Sequence, residues 1–98
     1  MIRVVHVRHT PFTLYIGRQY AEFPASKWGN PFRVDLYGRE KCLEMYEVYA
    51  REQLWDDLHE LDDQTLGCWC HPKACHGDVL KRLRQEQIDA LRGETVPE

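Results

Sequence analysis

Leu66-Gly67-Cys68-Trp69-Cys70-His71-Pro72-Lys73-Ala74-Cys75-His76-Gly77-Asp78 holds three of the four cysteines of the 98-residue chain and two of its five histidines. Leu66 to Trp69 is a short apolar run that reads as a strand. Pro72 has no N–H with which to continue a ladder, and Gly77-Asp78-Val79-Leu80 opens an amphipathic pattern that runs to Leu91. The stretch is therefore strand, tight loop and helix start. Its thiols stand at the carboxyl end of a strand facing the amino end of a helix, where free N–H groups and the helix dipole favour anions. The same place is expected to hold Cys75 as a thiolate.

Working outward, Ile2-Arg3-Val4-Val5-His6-Val7 is β-branched and apolar on both faces, which suits a strand covered on each side. After the turn-like His9-Thr10-Pro11, Phe12 to Ile16 is expected to return as an antiparallel partner, ended by Gly17. Gly17 to Pro31 shows no period but is dense in glycine, proline, aromatic and charged residues, a composition that belongs to a functional loop rather than to disorder. Phe32-Arg33-Val34 reads as a short edge strand and Asp35 to Gly38 as a turn. From Arg39 to Leu61, Leu43, Tyr46, Ala50, Leu54, Leu58 and Leu61 recur at steps of three and four, which predicts one long amphipathic helix with Trp55 widening its stripe and a solvated acidic face. A last helix over His76 to Leu91, with Leu80, Leu83 and Leu91 inward, and a frayed tail over 93–98 complete the chain.

The expected fold is one small α/β domain over 1–98, with three to four short strands, a long crossover helix and a C-terminal helix. A strand, a crossover helix and a second strand make the first and last strands parallel neighbours. That brings Arg8-His9 and Cys70-His71 to one edge, the carboxyl ends of the strands, where open α/β sheets bind ligands.

A formal charge of -3 and a sequence pI near 5.9 argue against binding nucleic acid by bulk attraction to phosphate. No apolar run approaches the roughly 18 residues of a membrane span, and the first residues lack the apolar region of a signal peptide. A soluble cytoplasmic protein is expected, with cysteines that are reduced, catalytic or metal-binding rather than a disulfide framework.

Two site chemistries stay open. Cys68, Cys70, Cys75 and His76 or His71 supply enough soft ligands for one zinc, although the C-x-C-x4-C-H spacing is not a common one. Against that, Cys70, Cys75, His76, Gly77 and Asp78 at a helix start, with Arg18, Ser26, Lys27 and Asn30 from the long loop, would suit a phosphate or nucleobase. Cys75, His76 and Asp78 are the candidates for any catalysis. Cys42 reads as a packing residue and His59 as a surface histidine.

Tyr15-Ile16-Gly17-Arg18, then Trp28-Gly29-Asn30-Pro31-Phe32, then Gly67-Cys68-Trp69-Cys70-x-Pro72-x-x-Cys75-His76-Gly77-Asp78-Val79-Leu80 resembles an uncharacterised domain-of-unknown-function family of bacteriophage and bacterial proteins. The resemblance spans nearly the whole chain. It implies a phage origin, hence a host cytoplasm, and marks Gly17, Arg18, Gly29, Asn30, Pro31, Cys68, Cys70, Pro72, Cys75, His76 and Asp78, without implying an activity. Two functions are carried forward. The first is a domain binding a nucleotide or phosphorylated small molecule, with catalysis left open. The second is a zinc-stabilised module that docks a host protein through exposed aromatics.

Overall fold

The Arg3–His6 run forms β1, and Thr65–Cys68 forms β3 beside it in parallel, in the register Arg3↔Thr65, Val4↔Leu66, Val5↔Gly67 and His6↔Cys68. The computed structural model describes residues 1–20, 22–70 and 73–93. A two-residue strand, β2 (Leu14–Tyr15), lies on the other side of β3, so the sheet order is β1-β3-β2 with both pairings parallel. The expected β1–β2 hairpin is thus corrected. The His6 carbonyl accepts the N–H groups of His9 and Thr10, turning the chain at the end of β1, and the following residues cross the face of β3 instead of returning beside β1. The linking Arg8-His9-Thr10-Pro11 contains neither Gly nor Asn, the residues that tight hairpin turns need.

Phe12 makes that crossing possible only because residue 67 is glycine: a Cβ there would stand 2.6 Å from Phe12 Cγ. Around the crossing Phe12, Tyr15, Phe23 and Trp69 form an aromatic cap, with Tyr15 and Phe23 stacked at 4.7 Å. Leu66 and Cys68, which alternate to the opposite side of the strand, join Tyr46, Ala50, Leu80 and Leu83 in the main core. The small sheet is therefore covered on both faces, which is why the successive residues Val4 and Val5 of β1, pointing to opposite faces, are both apolar.

The expected edge strand at Phe32-Arg33-Val34 is a short helix, α1 (Val34–Tyr37). Asn30 Oδ1 accepts the Phe32 N–H at 2.8 Å, and the Arg33 carbonyl then accepts from Leu36 and Tyr37, so the backbone turns before it can extend. Gly38, at φ 81°, makes the joint to α2 (Arg39–Gln53), a conformation in which other residues are strained.

The helix expected to run unbroken to Leu61 stops at Gln53; Leu54 leaves helical geometry and Trp55–Leu61 continues as a 3₁₀ segment. Asp56 and Asp57 fall in the first turn of that new segment, where the helix dipole favours acidic groups. Leu54, Leu58 and Leu61 nevertheless remain buried. The final helix, α3 (His76–Gly93), turns Val79, Leu80 and Leu83 inward, whereas Leu91, expected inward, is 63% exposed because the buried core of this helix ends at Leu83, about two turns earlier. Gly93 belongs to α3, and the rest of the expected frayed tail, 94–98, lies outside the described residues.

Candidate functional site

A cavity of about 650 Å³ opens at the carboxyl ends of the three parallel strands. Each strand delivers residues to it: Arg8 follows β1, Gly17 and Arg18 follow β2, and Trp69 and Cys70 follow β3. The segment from Asn30 to Asp35 and the start of α2, with Arg39, Cys42 and Leu43, close another side, and Cys75 and His76 at the start of α3 complete the lining.

The described residues of the loop over 17–31 are tied down by hydrogen bonds. Trp28 is buried as a plug; its N–H is taken by Ser26 Oγ at 3.1 Å and its carbonyl by the buried Tyr46 hydroxyl at 2.6 Å. The Gly17 carbonyl accepts the Ser26 N–H, drawing the middle of the loop back to its start. Arg18 is consequently held twice. Tyr15 Oη donates to its carbonyl at 2.5 Å while accepting from Trp69 Nε1, and its Nε donates to the Asn30 carbonyl at 2.9 Å. Its two Nη groups have no protein partner among the described residues.

Arg8 lies over the Trp69 ring at 5.2 Å, Arg33 is paired with Asp35 through two contacts, and Arg39 Nη1 donates to the Ala74 carbonyl at 2.8 Å. Four of the 13 basic residues of an acidic chain thus converge here against one carboxylate, Asp35, among Tyr15, Tyr20, Phe32 and Trp69.

Cys75 caps α3. Its Sγ accepts the Gly77 N–H at 3.3 Å and its carbonyl the Asp78 N–H, while its own N–H donates to Asp78 Oδ2 at 3.2 Å, the reciprocal arrangement of a capping box. Cys75 Sγ stands 3.4 Å from Cys68 Sγ with both residues buried. That neighbouring thiol, and then burial, hold the Cys75 thiol far above its ordinary range, against a smaller pull from the Gly77 and Asp78 N–H groups. The expected thiolate is corrected: the helix start meets a second thiol and a dry core before it meets solvent.

His76 is 8% exposed and packs edge-on against Tyr46. Its Nε2 lies 2.7 Å from the Ile16 carbonyl, which can only accept, so Nε2 carries the proton. Burial lowers its pKa, opposed by that bond and reinforced by the positive charge of Arg18, so the ring is neutral at pH 7.

Of the residues singled out in the sequence, Arg18, Asn30, Cys70, Cys75 and His76 line the cavity. Ser26, Lys27, Gly77 and Asp78 do not: Ser26 and Asp78 serve loop and cap, Gly77 packs 3.0 Å from Val4 and Ile16 by its would-be Cβ, and Lys27 pairs with Asp57 and Glu60. Of the proposed zinc ligands the structure brings Cys68 and Cys75 together, leaves Cys70 on the cavity lining and commits His76 Nε2 to Ile16. Among the described residues no group of three or more His, Cys, Asp or Glu is arranged to hold a metal ion; His71 lies outside them. Sequence reasoning missed Arg33, Arg39, Tyr20 and Trp69 as lining residues, since the side of a fold on which a single side chain ends leaves no periodic signal.

The family profile of a domain of unknown function, DUF4326, matches residues 3–86. The chain belongs to that family. Among DUF4326 relatives, the uncharacterised protein R718 of Acanthamoeba polyphaga mimivirus is 36% identical over 84 residues, covering 71% of this chain and 65% of that protein, so the chain spans just under two thirds of it. An uncharacterised 12.4 kDa protein from the nrdA-td intergenic region of Enterobacteria phage T4 is 29% identical over 89 residues, covering 85% of this chain and 77% of its own length. No solved structure matches the chain. Among the described residues no helix is long and apolar enough to cross a membrane.

Proposed function

We propose that this DUF4326 domain binds a nucleotide or another phosphorylated small molecule in the cavity at the strand ends. The observation that carries the reading is the convergence of Arg8, Arg18, Arg33 and Arg39 with aromatic rings in one concave site of a chain whose net charge is -3. Arginine forks match phosphate oxygens, and aromatic walls accept a base or sugar face. Arg18 is the anchor, because its Nε and carbonyl are fixed by Asn30 and Tyr15 while its Nη groups remain open. The viral relatives support a place inside an infected host cell, where reducing conditions would keep the four cysteines as thiols. The second reading, a zinc-stabilised module docking a host protein, has less to draw on, since the exposed Tyr20 is engaged edge-on with Trp69 at the cavity.

Calorimetric titration with nucleoside monophosphates and sugar phosphates tests the proposal. Arg18→Ala should weaken binding by about 2–3 kcal/mol, the worth of a charge-assisted contact, while the loss of its exposed bond to Asn30 changes fold stability by no more than about 1 kcal/mol. Absence of heat and of thermal shift with every phosphorylated ligand at millimolar concentration would overturn it.

A further inference from the structure

Four arginines make the cavity rich in donors, and the His76 ring offers it an acceptor. Its only hydrogen bond among the described residues is the one from Nε2 to Ile16, which leaves Nδ1 as a bare lone pair on a neutral ring. No buried side-chain nitrogen or oxygen among the described residues lacks a partner, so Nδ1, which has none, must be open to the cavity that His76 lines. Three other acceptors there are already engaged. Asp35 is held by Arg33, Asn30 Oδ1 by the Phe32 N–H, and Tyr15 Oη by Trp69 Nε1.

A ligand that satisfied only the arginines would seal this lone pair away from water without a partner, which costs affinity. Arg18 and His76 line the same cavity, and the His76 ring is bonded to the carbonyl of Ile16, two residues before Arg18. A phosphate on the free Arg18 Nη groups would therefore lie on the side of the cavity that Nδ1 serves, and the hydroxyls of a sugar joined to that phosphate are the nearest donors it brings.

Resting on the phosphate-binding reading above, we infer that His76 Nδ1 is a specificity-determining acceptor for a sugar hydroxyl, so that the cavity selects a hydroxylated sugar phosphate, free or as the core of a nucleotide, over a phosphate ester lacking that hydroxyl. The discrimination follows from the general asymmetry that a site built to pair with a hydroxyl rejects its deoxygenated analogue.

The test compares ribose 5-phosphate with tetrahydrofurfuryl phosphate, the same ring and phosphate without hydroxyls, by calorimetry at pH 8, where both phosphates are dianions. The parent protein should prefer ribose 5-phosphate by about tenfold or more. His76→Gln, whose amide NH₂ can still reach the Ile16 carbonyl, should bind the two with nearly equal affinity while keeping its affinity for tetrahydrofurfuryl phosphate. His76→Asn, whose amide oxygen falls near the place of Nδ1, should keep a preference for the hydroxylated ligand even though it gives up the Ile16 bond; this second variant decides the matter if His76→Gln fails to fold. Binding of both ligands with no preference in the parent, or a preference retained in His76→Gln, would overturn the inference while leaving phosphate binding intact. Failure of both ligands to bind the parent would remove the inference together with the phosphate reading.

Discussion

Replacing Tyr46 with Phe deletes one oxygen and keeps the ring, and its expected cost follows from what that oxygen holds. Tyr46 is fully buried, and its hydroxyl donates at 2.6 Å to the carbonyl of Trp28, itself 2% exposed. Burial pushes the phenol well above its ordinary range, so the proton stays in the bond through alkaline pH. With Phe in place no water can reach the Trp28 carbonyl, and leaving such an acceptor unpaired costs about 1–3 kcal/mol. For a domain of this size each kcal/mol moves the midpoint by roughly 4–8 °C, so Tyr46→Phe should lower Tm by about 4–24 °C. Urea unfolding should show the loss as a lower midpoint at unchanged slope, since the surface exposed on unfolding is the same. The same carbonyl anchors the loop that supplies Asn30, so a modest loss of phosphate affinity should accompany it. A Tyr46→Phe protein within about 0.3 kcal/mol of the parent would refute the claim that this bond fixes the loop, because that is less than an unpaired buried carbonyl can cost.

Three further outcomes are expected. His76 is buried neutral with its pKa lowered from 6.5, so the unfolded chain takes up the proton first; stability should be intact above about pH 6.5 and fall as pH drops below it, by at most about 1.4 kcal/mol per pH unit, and urea midpoints from pH 5 to 8 should lose this component in His76→Gln. Brief treatment with iodoacetamide should label Cys70 alone by intact mass, since Cys42, Cys68 and Cys75 are 0–1% exposed; rapid modification of Cys75 in the folded protein would contradict the packing described. Gly67→Ala should cost about 1–3 kcal/mol in denaturant unfolding through its clash with Phe12, and combining it with Phe12→Ala should cost less than the sum of the two, whereas strict additivity would place the clash elsewhere.

Much of the layout was legible because it rests on long-range patterns. The parallel pairing of β1 with β3 followed from two doubly apolar runs separated by a long amphipathic segment, and the site edge followed from that pairing. The direction of β2 was not legible, since two residues hold no period and the choice lay in a crossing that requires Gly67 under Phe12. The break at Leu54 was hidden because leucines spaced four and three suit both an α-helix and the 3₁₀ segment that replaces its end. In the cavity, Arg18, Asn30 and His76 were visible as special residues in loops, but Lys27 was misplaced because its partners Asp57 and Glu60 lie thirty or more residues away, which no local reading reports.

The position of β3 between β1 and β2 has a consequence for how the chain comes into being. The two N-terminal strands do not pair with each other; both wait for residues 65–68, the strand that lies between them. At about 5–20 residues per second, a ribosome needs roughly 3–12 s to pass from the first strand to that segment. Throughout that interval Val4, Val5 and Leu14 have no ladder to join, and the cavity, which draws on the ends of all three strands and on the start of α3, cannot exist in part. Sheet formation is therefore a late event with non-local closure, slow for so short a chain, and the first sixty residues spend their earliest seconds without the strand that joins them.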